Sequence, residues 1–442
     1  MTEAPAPRVR EKDRHAILQA LRAGVVPRVG LHHVQVGRKS EVSAILSDLD
    51  RTKEGAAAIR FVVGAFGAGK SFFLNLVGTL ALEKGFLLAR ADITVDRRLH
   101  GSQGQARSLV SELMKNLSSK ARPDGGALGG VIERWIGEVS HEVEGRGGDA
   151  AAGEREIIQR LKPLHELVGG FDFASVLGRY YRAQHEGNNE RAEAALQWLR
   201  AEFGTKTAAR ERLGVREIID DSELYDYLKL WAKFARIAGY NGLLVGIDEL
   251  VVLSHRLSHT KAREANFETI LRILNDCLQG NVEGLMILFC GTQECLEDRR
   301  RGLYSYEALA SRLAPNEFAK GGAADLLGPV IRLPPLTRED LFVLLHRIRN
   351  VHAMGDPAKH MIPDEGLAAY LEYCSRILGA EYFRTPRDAV TRFTGLLSIL
   401  ENDPARDWRA ALDRASNVAV APSASAEAQA PVEDDPLETF KL

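Results

Sequence analysis

The run Gly64-Ala65-Phe66-Gly67-Ala68-Gly69-Lys70-Ser71 satisfies G-x-x-x-x-G-K-[ST] without a mismatch. Its glycines allow the backbone to curl until successive N–H groups converge on one anion, and a helix opening at Lys70 adds the positive end of its dipole. In such a loop the lysine reaches the terminal phosphates of a nucleotide, and the hydroxyl after it is a ligand for Mg²⁺. Residues 64–72, Phe72 included, are therefore the predicted nucleotide contacts, with Ser71 a predicted metal ligand. The competing reading is a plain glycine-rich turn between a strand and a helix, which would carry no ligand.

Gly242-Leu-Leu-Val-Gly-Ile-Asp248-Glu249 supplies the carboxylates such a site needs. An apolar strand delivers Asp248 to the metal's water shell, and Glu249 is placed to orient and activate an attacking water. A chain that only held nucleotide would not need the second acid. Leu285-Met-Ile-Leu-Phe-Cys-Gly-Thr292 is a further buried strand that ends in a hydroxyl. Thr292 is placed either to meet the terminal phosphate or the attacking water, or simply to cap the helix that follows.

These groups need a parallel sheet that brings a loop and several strand ends to one edge. Residues 57–63 read as the first core strand, 70–83 as a helix and 86–91 as the next strand, the strand–helix–strand unit of a parallel α/β sheet. The alternation then stops. Residues 100–235 are helical in pattern with Gly-rich joints such as PDGGALGG, and read as a large insertion between sheet strands. Strands at 243–247, 285–290 and 330–333 complete the set. The expected organisation is an N-terminal helix and linker over 1–35, a core in two parts (36–99 and 236–335) around the 100–235 insertion, and a helical lid over 336–403. An acidic tail, 404–442, follows. Its Ala/Ser/Pro/acid-rich part from Ala415 onward is expected to lack fixed structure.

Composition sets the outer limits. The chain has 442 residues, 45% hydrophobic and 27% charged, the make-up of an ordinary globular protein of two or three domains. No apolar run approaches the roughly 18 residues of a spanning helix, so no membrane role is expected. The first residues, MTEAPAPRVREKDR, hold no apolar stretch of the secretory kind. Four scattered cysteines (Cys277, Cys290, Cys295, Cys374) fit a reducing cytoplasm and argue against a zinc site or a disulfide scaffold. Net charge is −2, but the last 28 residues hold five acids and one base, which leaves the body at +2. Bulk charge thus gives no nucleic-acid reading. The local candidates for a DNA-facing stripe are Arg97-Arg98, Arg299 to Arg301, and Arg347 with Arg349. Charge runs are more often solvated faces, and aromatic stacking partners are few.

With loop, acid pair and third strand in this order, the chain resembles an α/β P-loop NTPase of the additional-strand, AAA+ type. VGRKSEV (36–42) is similar to a box just upstream of that core, which implies Arg38 near the adenine. LPPLTREDLFVLLHRIRN resembles the start of a helical lid, and Thr385-Pro-Arg387-Asp-Ala-Val-Thr-Arg392 a helix whose arginine, Arg387, returns to the phosphates. In such assemblies an arginine near the place of Arg312 reaches the nucleotide of the next subunit, with Arg299, Arg300 and Arg301 as competitors. A narrower resemblance rests on ALRAGVVPRVGL, GAFGAGKSFFL, AALQWLRAEFG, AGYNGLLVGIDEL, FCGTQECLED and YSYEALASRL. Together these look like the ATP-binding proteins of BREX bacteriophage-exclusion systems, the BrxC/BrxD type. That resemblance spans roughly 15–400 and implies ATP and Mg²⁺ as cofactors and a nucleotide-dependent homo-oligomer. It also implies protein partners from a defence operon, with DNA an open candidate.

Two functions use the same residues. One is an ATPase that remodels a DNA or nucleoprotein partner, with Glu249, Lys70, Thr292, Arg312 and Arg387 as its catalytic set. The other is a slow nucleotide-operated switch that assembles and recruits effectors. A small-molecule kinase fits less well with the long lid and the Asp-Glu pair.

Overall fold

The computed structural model describes residues 8–319, 325–378, 386–403 and 407–420. Five strands, β1 (Ala58–Val63), β2 (Leu87–Asp92), β3 (Leu243–Asp248), β4 (Leu285–Gly291) and β5 (Val330–Arg332), form one sheet in the order β2-β3-β4-β1-β5. Every pairing is parallel. β3 and β4 are buried along their whole length, as near-continuous apolar runs are in a sheet covered on both faces. β4 stands between β1 and β3, with Val63 level with Gly291 and Ile247 level with Phe289. The carboxyl ends of these three strands therefore lie side by side, where open parallel sheets hold ligands.

Alternate residues along each strand feed two different cores. Ile59, Phe61, Val63, Val245, Ile247, Ile287 and Phe289 face a core shared with the helices of residues 105–237 and the helix Thr260–Gln279, the latter packed on β1. Val62, Leu88, Leu244, Leu288 and Ile331 face the helices Lys39–Lys53 and Lys70–Glu83 through Ile45, Leu49, Phe73 and Val77. The segment between β2 and β3 is thus a cover for the sheet. Its interior is aromatic, with Phe173 and Phe234 each edge-on to Trp231 at 5.5 Å between ring centroids. A Cβ at Gly246 would come within 2.8 Å of Leu74 Cδ1, so a glycine in β3 lets the Lys70–Glu83 helix sit close on the sheet.

Arg60 breaks the apolar run of β1. Its Nε donates to Asp48 Oδ2 at 2.6 Å, and both side chains are nearly fully buried. Arg51 approaches the same carboxylate from the surface. Removing Asp48 leaves the Arg60 charge buried with its main counter-charge gone. Asp48→Ala is therefore expected to cost about 3–5 kcal/mol, read as a lower denaturation midpoint.

A third core belongs to the lid helices Arg338–His352, Asp364–Leu378 and Pro386–Asn402. The helix Glu11–Arg22 joins it. Val9, Ile17 and Val34 pack among Leu345, Ile348, Phe393 and Leu397. Arg14 binds His352 O and Glu401, each at 2.6 Å, and Arg22 binds Thr391 O at 3.1 Å. A helix, Trp408–Val420, stands where the start of a structureless tail was expected. Leu412 and Trp408 dock it on the lid core, and Arg409 pairs with Glu365 at 2.6 Å. The five acids of the last 28 residues lie outside the described residues. Among the described residues no helix is long and apolar enough to cross a membrane.

Candidate functional site

Gly64 leaves the end of β1, where a Cβ would meet Ala68 Cβ and Leu333 O at 3.3 Å. Gly67 and Gly69 have φ of +75° and +89°, values that an L side chain adopts only under strain. A Cβ at Gly69 would meet nothing within 4 Å, so the hollow of the loop is open at the helix start. Lys70 Nζ arches over it and donates to Gly64 O at 3.1 Å and Ala65 O at 2.9 Å. Burial pulls its pKa down, opposed chiefly by Asp248.

Ser71 Oγ donates to Asp248 Oδ2 at 2.7 Å, across 177 positions of sequence. Oδ1 of the same carboxylate accepts from the Glu249 N–H at 2.8 Å. Asp248 is buried, whereas Glu249 is exposed and held at φ +60°. Left-handed backbone at a residue other than glycine costs about 1–2 kcal/mol, and such strain collects at functional sites. Two clefts meet at Ser71, Asp248 and Glu249. The first, of about 760 Å³, is walled by the loop and by apolar residues such as Val26, Val36, Phe72 and Leu344. The second, of about 860 Å³, is lined by Arg28, Arg90, Asp92 and Glu112. Glu249 therefore borders both the cleft walled by the loop and the more polar one.

The hydroxyl and carboxylate oxygens of Ser71 and Asp248 suit a hard cation such as Mg²⁺, which takes few protein ligands and keeps phosphate oxygens and waters. Among the described residues no group of three or more His, Cys, Asp or Glu is placed to hold a metal.

The remaining predicted residues fall in different places. Phe66, Gly67, Ala68 and Phe72 line the first cleft, and Phe66 is 71% exposed at the loop tip. Gly64 and Ala65 accept from Lys70 through their carbonyls, and the Gly64 N–H is used on Gly291 O at 3.3 Å. Arg38 has φ +60° and reaches Ala68 O at 3.4 Å as well as Pro334 O, so it ties the loop to the chain after β5. Burial lowers its pKa, with Glu41 and Asp340 opposing. Thr292 borders the cleft, but its Oγ1 also accepts from Cys295 N at 3.2 Å and caps the short helix Gln293–Glu297. Arg387 borders the cleft from the lid, where a Cβ at Gly24 would lie 2.7 Å from its Nε. Thr385 lies outside the described residues. Arg312 is not at this cleft. It is exposed on the helix Glu307–Leu313 and bonded to Asn275 Oδ1 at 2.8 Å.

One expectation needs correction. Arg349 cannot belong to a DNA-facing stripe, because it is buried in the lid and paired with Asp364 at 2.6 Å. Its neighbour Arg347 is spent on Gln35 O, and Arg97 on Glu112 at 3.0 Å.

Sequence reasoning missed the apolar wall from Val25 to Val36, although VVPRVG is unusually apolar for a linker. It also missed Arg256, which borders the same cleft.

A glycine-rich loop on a five-stranded parallel sheet, backed by a hydroxyl–carboxylate pair, is consistent with a P-loop nucleotide-binding protein. The sequence profile of the BREX system ATP-binding protein BrxC/D family matches residues 9–416, and the chain belongs to that family. An ATP-binding role in a defence system follows from that membership. No curated protein matches the chain.

Proposed function

We propose that the chain hydrolyses Mg·ATP as an AAA+-like ATPase and couples nucleotide state to assembly and to remodelling of a DNA or nucleoprotein partner. The observation that carries this reading is the 2.7 Å bond from Ser71 Oγ to Asp248. It joins the loop to the strand that also presents Glu249. Loop N–H groups and Lys70 hold the β- and γ-phosphates, while Ser71 and Asp248 hold Mg²⁺. Held by Ser71 and Asp248, Mg²⁺ would supply neutralisation of charge on the phosphoryl oxygens. Glu249 accepts a proton from water entering by the polar cleft, and Thr292 and Arg387 border the transferred group. Arg312, exposed and away from its own cleft, would exchange its bond to Asn275 for the nucleotide of a neighbouring subunit.

A slow switch is the second reading, and the lid favours it. The cleft walls come from the sheet on one side and from the lid and its N-terminal helix on the other. Closure on the nucleotide would itself be an output. Light scattering on Glu249→Gln with Mg·ATP, with and without duplex DNA, tests both, with wild-type turnover measured alongside. Assembly with ATP and DNA-stimulated turnover supports remodelling. A monomer that stays inert under both conditions rejects it and leaves the switch awaiting a protein partner.

A further inference from the structure

The segment after Glu249 carries a cation that the reading above leaves without a role. Val252–Arg256 winds as one π-helical turn, a rare form that is frequent at functional sites. Val252, Leu253 and Ser254 are buried in it. Ser254 Oγ lies 3.0 Å from Val251 O and 2.7 Å from His255 Nδ1. His255 Nε2 lies 3.3 Å from Asp298 Oδ2 and 3.6 Å from Glu294 Oε1. Leu250 N also donates to Cys290 O at 3.0 Å. The turn is thus pinned to the segment that follows β4, and the exits of β3 and β4 form one unit.

Arg256 closes this turn and borders the cleft together with Glu249, Thr292 and Glu294. Of the three other cations of the cleft, Lys70 is engaged on the loop carbonyls and Arg38 on Ala68 O and Pro334 O, while Arg387 enters from the lid rather than from the strand ends. Arg256 is exposed, and among the described residues no hydrogen bond or ion pair holds its guanidinium. Its fixed fork of donors is left for a ligand. The anion this cleft is shaped for is a polyphosphate, and the residues beside Arg256 are those at its γ-phosphate end.

We infer that Arg256 binds the γ-phosphate of the triphosphate held by its own subunit. It would be a phosphate contact in cis, distinct from any arginine supplied across an interface. The inference rests on the ATP-binding reading. Its position also makes it sensitive to Glu249, because Val252, the first residue of the π-turn, donates its N–H to Glu249 O at 2.9 Å, so a shift at the strained residue is passed to the turn.

The test is competition binding on the full chain with Mg²⁺, comparing ADP with a non-hydrolysable ATP analogue for wild type, Arg256→Ala and Arg256→Lys. One charge-assisted contact to the γ-phosphate predicts that Arg256→Ala loses about 10- to 100-fold in analogue affinity. ADP affinity should hold within about twofold, and lysine should recover part of the loss. Equal losses for both nucleotides would mark a structural role and overturn the inference, as would no loss at all. If wild type binds neither nucleotide, the ATP-binding reading falls and takes this inference with it.

Discussion

Glu249→Gln is expected to bind ATP as wild type does while hydrolysing it about 10²–10⁴-fold more slowly, the range a positioned general base contributes. Glutamine keeps the shape of the side chain but cannot accept the water's proton. Its backbone N–H still holds Asp248 Oδ1, so the Ser71–Asp248 pair is preserved. The substitution therefore separates binding from turnover. If assembly follows ATP binding, the variant should accumulate in the assembled form, read as a mass increase that ADP does not produce. Hydrolysis at the wild-type rate would show that the base lies elsewhere, with Asp92 the next acid to examine because it is level with Asp248 in the sheet.

Lys70→Ala should abolish nucleotide binding at ordinary concentrations while leaving the fold intact. The ammonium now satisfies two loop carbonyls and would exchange them for phosphate oxygens. Two charge-assisted contacts are worth about 3–6 kcal/mol, or roughly two to four powers of ten in affinity. Ala65 is exposed, so water can replace the donor lost there, and the unfolding midpoint should move little. Calorimetric titration checks the first claim and thermal unfolding without nucleotide the second. Binding at near wild-type affinity would mean the loop carries no phosphate.

The parts of this site that were legible in sequence are those written contiguously. A loop of eight residues and the Asp248–Glu249 pair each report a local backbone shape, and local shape is what residue order encodes directly. The strands of the sheet were legible as apolar runs for the same reason, though β5 is a mere three residues long. Long-range packing was not. Nothing in the periodicity of Glu11–Arg22 says that it will share a core with Phe393 and Leu397. Arg349 reads as surface charge until the lid folds around its ion pair with Asp364. The π-turn that positions Arg256 has no composition signature at all. Thr292 carries both of its readings into the structure, as a cap and as a residue bordering the cleft.

The strand order has a consequence for how the chain is made. Ala58 of β1 pairs with Met286 of β4, and Phe61 with Val330 of β5. At synthesis rates of about 5–20 residues per second, β1 leaves the ribosome roughly 10–45 s before either neighbour exists. For that interval its apolar edge has no partner in its own sheet. The helices between β2 and β3, built from local contacts, can form meanwhile, but the helix packed on β1 is Thr260–Gln279, which is made only after β3. A nascent chain halted near residue 280 should therefore be compact but unable to retain nucleotide, and prone to pair its exposed strand with another chain.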